Sequence, residues 1–121
     1  MITLSNPKDG WITLSITTPD DSVDIVFSDV GPDSIGQLQQ IVTALRQGSQ
    51  NGAAEFHLEP AVASLDVSCS GATARLGITI DRQHPLSLIY DRQAFVNELD
   101  SELKRIVPLC TEWTNPGQEK N

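Results

Sequence analysis

The sequence predicts an α+β protein: a single, mainly antiparallel sheet of six to seven strands with two amphipathic helices on one face. Three observations predict it. Apolar and polar residues alternate in several short runs, the period of half-buried strands. Two other segments carry apolar residues at spacings of three and four, the stripe of a helix lying on a core. Each of those segments follows a hairpin-like pair of strands. Helices on one side of an antiparallel sheet bury every one of these faces together.

The elements run in the order βββαββββα. Ile2 to Leu4 makes a short edge strand before the turn-forming Asn6-Pro7-Lys8-Asp9-Gly10. From Trp11 to Thr18, Ile12, Leu14 and Ile16 point one way and Trp11, Thr13, Ser15 and Thr17 the other. Pro19-Asp20-Asp21-Ser22 is a turn by residue type, and Val23 to Val30 returns as a strand with Val23, Ile25 and Phe27 apolar. Ile35, Leu38, Ile41, Val42 and Leu45 form the first helical stripe. Asp33 or Ser34 suits its N-terminus and Gly48 its end. Ala54-Phe56-Leu58, Ala63-Leu65-Val67-Cys69 and Ala74-Leu76-Ile78-Ile80 alternate again, with tight turns at Glu59-Pro60-Ala61 and Ser70-Gly71-Ala72. A loop at Asp81-Arg82-Gln83-His84-Pro85 precedes a last strand, Leu86 to Tyr90. Asp91 caps a second helix whose stripe is Phe95, Val96, Leu99, Leu103, Ile106 and Val107. One domain over residues 1–113 is expected, followed by a polar, disordered tail at 114–121. The segment Thr13–Thr17 resembles Arg75–Thr79, and Asp24–Ser28 resembles Ser87–Asp91, so the chain carries a weak internal repeat.

Composition narrows the function classes. The chain has 121 residues, 39% of them hydrophobic, which is enough for a real core and argues against global disorder. No apolar run approaches the ~18 residues of a membrane span, and the start has neither a basic segment nor a long apolar one, so no signal peptide or membrane association is expected. Cys69 and Cys110 are far apart, without a Cys-x-x-Cys, and read as reduced thiols of a cytoplasmic protein. Sixteen acids oppose eight bases, for a net charge of −8. That sign repels phosphate and disfavours nucleic acid. Between Lys8 and Arg46 there is no base, while Asp9, Asp20, Asp21, Asp24, Asp29 and Asp33 all fall there. Such a surface keeps a protein soluble, and it also steers a basic partner.

No catalytic, cofactor or metal motif stands. Asp66-Val67-Ser68-Cys69-Ser70 has the D-x-S-x-S spacing of some metal-dependent adhesion sites, but those belong to larger parallel-sheet domains. Glu55, His57 and Glu59 are of metal-binding type, yet i and i+4 on a strand lie ~13 Å apart. Ser34, in Gly31-Pro32-Asp33-Ser34-Ile35-Gly36, is one residue off nucleophile-elbow spacing and is better read as a helix cap. Trp11, Val26 and Ile89 fall on the sheet face away from the helices, where a small apolar patch among polar residues suits binding.

The strand at 22–30, the run Gly31-Pro32-Asp33-Ser34-Ile35-Gly36-Gln37-Leu38-Gln39-Gln40-Ile41-Val42-Thr43-Ala44-Leu45, the strand opening Ala54-Glu55-Phe56-His57-Leu58-Glu59-Pro60 and the closing Tyr90–Ile106 segment carry a resemblance. In layout they resemble small acidic immunity-type proteins of bacterial polymorphic toxin and contact-dependent growth-inhibition systems. The resemblance implies a cytoplasmic protein that binds and blocks a toxin domain. The strand–helix order also looks like the Whirly arrangement of single-stranded-DNA binders, from which this chain departs in lacking a basic groove and stacking aromatics. The expectation is therefore a non-enzymatic protein-binding inhibitor that occludes the basic cleft of a toxin. Asp20, Asp21, Asp24, Asp29, Asp33, Glu55, Glu59 and Trp11 are the candidate contacts. An acidic secretion chaperone or adaptor is the second class, and a small enzyme without recognisable motif the third.

Overall fold

The structure is a computed structural model that describes residues 1–28 and 32–110, with His84 described by its backbone alone. Asp29 and the tail expected at 114–121 lie outside the described residues. The elements are β1 (Ile2–Leu4), β2 (Trp11–Thr17), β3 (Ser22–Ser28), α1 (Ser34–Arg46), β4 (Asn51–His57), β5 (Val62–Ser70), β6 (Thr73–Ile80), β7 (Gln83–Asp91) and α2 (Arg92–Ile106), closed by a short 3-10 turn at Val107–Cys110. The chain is α+β, in the order the alternation predicts.

The single sheet is corrected. There are two antiparallel sheets, β1-β2-β3 and β4-β5-β6-β7. The break falls between β3 and β4, and side chains of α1 explain it. At the outer edge of β4 the Ser34 hydroxyl donates to the Glu55 carbonyl at 2.5 Å, and the Gln37 side-chain oxygen accepts from the Glu55 N–H at 2.6 Å. The groups that would have paired with β3 at that point are already satisfied, as buried or edge backbone groups must be. β3 and β4 meet instead through an edge-to-face contact of Phe27 and Phe56, with ring centroids 5.0 Å apart.

The edge of β1 is closed in the same manner by α2. Glu98 accepts from the Ile2 N–H at 3.0 Å and Glu102 from the Leu4 N–H at 2.8 Å. The two acids stand four apart on one helix face, and alternate residues of a strand present their N–H groups to one side, so the periods match. Glu98 also accepts from the Tyr90 hydroxyl of β7 at 2.5 Å, so one carboxylate links both sheets.

The apolar stripes converge on one buried cluster. Leu14, Ile16, Ile25 and Phe27 from the first sheet join Leu65 and Ile78 from the second, with Leu38 and Val42 of α1 and Leu99 and Leu103 of α2. The helices touch each other, α1 packs on β4, and α2 spans β1, β6 and β7. Asp33 caps α1 through Gly36 N–H, and Asp91 caps α2 through Ala94 N–H. Gly48, at φ 99°, ends α1: its N–H reaches the Leu45 carbonyl and that of Ser49 the Ala44 carbonyl. This paired bonding at a left-handed residue is what a glycine there permits.

One loop is shorter than expected. Asp81 and Arg82, at φ 53° and 61°, make a two-residue turn, and β7 begins at Gln83. Positive φ at both central residues matches the twist of paired strands, but it is ordinarily signalled by Asn-Gly rather than Asp-Arg. Among the described residues no helix is long and apolar enough to cross a membrane. Cys69 and Cys110 are both buried and not joined to each other.

Candidate functional site: an acidic hairpin

The β2–β3 hairpin presents two unlike faces because its register keeps the two alternations in phase. Ile12 opposes Phe27, Leu14 opposes Ile25 and Ile16 opposes Val23 on the core side. Trp11 opposes Ser28, Thr13 opposes Val26, Ser15 opposes Asp24 and Thr17 opposes Ser22 on the other. Thr3 of β1 extends that outer face beside Ser15.

The turn that joins the strands holds its acids outward. Thr18 N–H donates to the Asp21 carbonyl at 2.7 Å, and the Thr18 hydroxyl accepts from the Asp21 N–H at 3.0 Å. Backbone bonds thus fix the turn while the carboxylates of Asp20 and Asp21 stay exposed. Asp24 stands exposed on the outer face, one strand step inside the turn.

The structure divides the seven candidate contacts that lie among the described residues. Asp20, Asp21 and Asp24 gather at the turn. Trp11 lies at the opposite end of β2, about 20 Å away by strand rise. The Phe27–Phe56 contact carries that end toward the end of β4, which bears the exposed Glu55. Asp33 adjoins Glu55, because the neighbouring Ser34 bonds the Glu55 carbonyl. The Asp33 carboxylate itself is engaged in capping α1. Glu59, exposed, sits in the β4–β5 turn.

The bases tell the complementary story, and the sequence pattern did not reveal it. Arg46 and Lys104 both pair with Asp100, at 2.8 and 3.0 Å. These two contacts hold the Asp100 carboxyl below the usual carboxylate range, through hydrogen bonds from Lys104 and then Arg46. Arg92 donates to the carbonyls of Leu45 and Ser49. Arg105 binds Glu102, Asn6 and the Leu4 carbonyl. Four of the eight bases are thereby bound to the helices and to the segments beside them, whereas the hairpin turn displays carboxylates. Two of these pairs, Asp100 with Lys104 and Glu102 with Arg105, have the helical spacings of four and three that the sequence shows.

Other groups singled out by sequence lie on separate elements, Ser34 on α1, Glu55 and His57 on β4 and Asp66, Ser68 and Ser70 on β5. Ser34 is fully buried and its hydroxyl is committed to the Glu55 carbonyl. Asp66, Ser68 and Ser70 stand exposed along one face of β5. Among the described residues no group of three or more His, Cys, Asp or Glu side chains is gathered so as to hold a metal ion. Of the exposed apolar trio, Trp11 and Val26 share the first sheet, while Ile89 belongs to the second. No protein-family model, curated protein or solved structure matches this chain.

Proposed function

We propose that this chain is a protein-binding inhibitor, of the immunity type, which covers the basic cleft of a partner such as a toxin domain. The observation that carries the reading is the uneven placement of charge. The hairpin turn holds Asp20 and Asp21 outward on a backbone-fixed loop with Asp24 beside them, while Arg46, Arg92, Lys104 and Arg105 are bound within the helical side. Asp20, Asp21 and Asp24 follow one another along the hairpin with no base between them, in a chain whose formal net charge is −8. An acidic surface of this kind accelerates encounter with a basic cleft and excludes an anionic substrate from it. The immunity-type and bacterial character of the reading rests on the sequence resemblance.

The inhibitor works by occlusion, so it needs no catalytic group. Its acids stand where cleft-lining lysines and arginines would otherwise meet phosphate or carboxylate. The test is co-purification of the partner with identification by mass spectrometry. The partner's activity is then assayed with the parent chain and with an Asp20→Asn, Asp21→Asn, Asp24→Asn variant. The parent is expected to suppress activity stoichiometrically and the variant to require a higher concentration. Equal suppression by both would remove the acidic hairpin from the mechanism.

A further inference from the structure

We infer that the partner is gripped on the outer face of the β2–β3 hairpin by Trp11 and Val26, and that it is a basic protein offering an apolar pocket with lysine or arginine on the side that meets Asp24 and the hairpin turn. This inference rests on the acidic-inhibitor reading and names where its contact is centred. Trp11 is 36% and Val26 48% exposed. Because Trp11 opposes Ser28 and Thr13 opposes Val26, the two side chains are diagonal neighbours on one face. Such neighbours lie about 7–8 Å apart, within reach of an indole. Single exposed apolar residues are ordinary, but here two meet on a face whose other exposed or half-exposed residues are Thr13, Ser15, Asp24 and, bridged to Trp11, Lys8. A large aromatic with an aliphatic neighbour and a hydroxyl-rich rim has the make-up of an interface hot spot.

Charge selects the occupant. Along the hairpin and the turn before it stand Asp9, Asp20, Asp21 and Asp24, against Lys8 alone. A second copy of this chain would set like charges against one another, and nucleic acid would add phosphates to them. A basic protein surface is the complement of what remains.

Two synthetic probes separate the apolar grip from the charge attraction. One is a lysine-rich amphipathic helical peptide with a leucine face; the other is the same peptide with every leucine replaced by serine. Both are titrated into the 15N-labelled chain. The leucine peptide is expected to shift the Trp11 indole and Val26 amide signals and to bind at least about tenfold more tightly than the serine peptide. Trp11→Ala should abolish that difference. Val26→Thr, which keeps the strand-favouring shape, should reduce it. Asp20→Asn should weaken both peptides alike. If both peptides bind equally and only the hairpin-turn signals move, this inference fails while the basic-partner reading stands. If neither binds, both fail. A concentration-dependent dimer in sedimentation, lost in Trp11→Ala, would assign the face to a second copy and overturn the proposal.

Discussion

At the scale of single residues, the carboxylates that close the β1 edge carry testable energetics. Glu102 accepts from the Leu4 N–H and from Arg105. The Arg105 hydrogen bond holds its carboxyl below the usual range against the opposing effect of burial, and the Leu4 N–H adds a lesser lowering. The unfolded chain, with Glu near its ordinary ~4.3, therefore binds this proton at a pH where the folded chain does not. Stability from Glu102 is present above about pH 4.3 and is lost as pH falls through the lower folded value. Urea midpoints measured from pH 3 to 7 should show Glu102→Ala less stable by about 1–3 kcal/mol at neutral pH, with the gap narrowing toward pH 3. A constant gap would mean that the carboxylate charge contributes nothing. Tyr90 shifts the other way: burial and then the Glu98 hydrogen bond raise its phenol above the ordinary value. It is the only tyrosine, so phenolate absorbance reads it alone. No phenolate should appear at pH 10, near the ordinary midpoint of ~10, while the chain stays folded. Because the folded state holds this proton more tightly, the Tyr90 contribution is complete below that pH and declines above it.

At the scale of elements, local chemistry was legible and edge closure was not. The stripes of α1 and α2 and the alternation of β2, β3, β5 and β6 follow from residue period, and the caps Asp33 and Asp91 from residue type. Which sheet edges would pair depends on long-range bonds from Ser34, Gln37, Glu98 and Glu102. Those residues look like ordinary helix-surface positions, and nothing in their spacing announces a strand edge alongside. The β7 boundary was missed for a narrower reason: Asp81-Arg82 adopts a left-handed pair that neither residue type favours strongly. The element-level prediction uses the caps and the shared core. Asp91→Ala should lose about 0.5–2 kcal/mol through the Ala94 N–H, while Leu38→Ala or Leu99→Ala should lose about 2–5 kcal/mol. Chemical denaturation ranks them directly, and a Leu99→Ala cost no larger than that of Asp91→Ala would contradict the common core.

At the scale of the whole molecule, the candidate site was half legible. The base-free stretch with its aspartates is plain in the sequence. That Asp20 and Asp21 stand at the hairpin turn about 20 Å from Trp11, with Asp24 between them and Val26, and that half of the bases are bound within the helical side, required the fold. This separation leads to a kinetic prediction for the complex with the co-purified partner. Charges on an exposed turn act mainly on encounter, through a field that 0.15 M salt screens within about 8 Å. An apolar anchor acts instead after contact, on residence time. Stopped-flow association rates for the parent should fall steeply as salt rises from 0.01 to 0.5 M. For Asp20→Asn with Asp21→Asn they should start lower and fall less, and the two curves should meet at high salt. Dissociation should be nearly unchanged by these substitutions and faster in Trp11→Ala. Parallel salt slopes for parent and variant would show that the hairpin acids only solvate the chain, and partner steering would then have to come from another part of the surface.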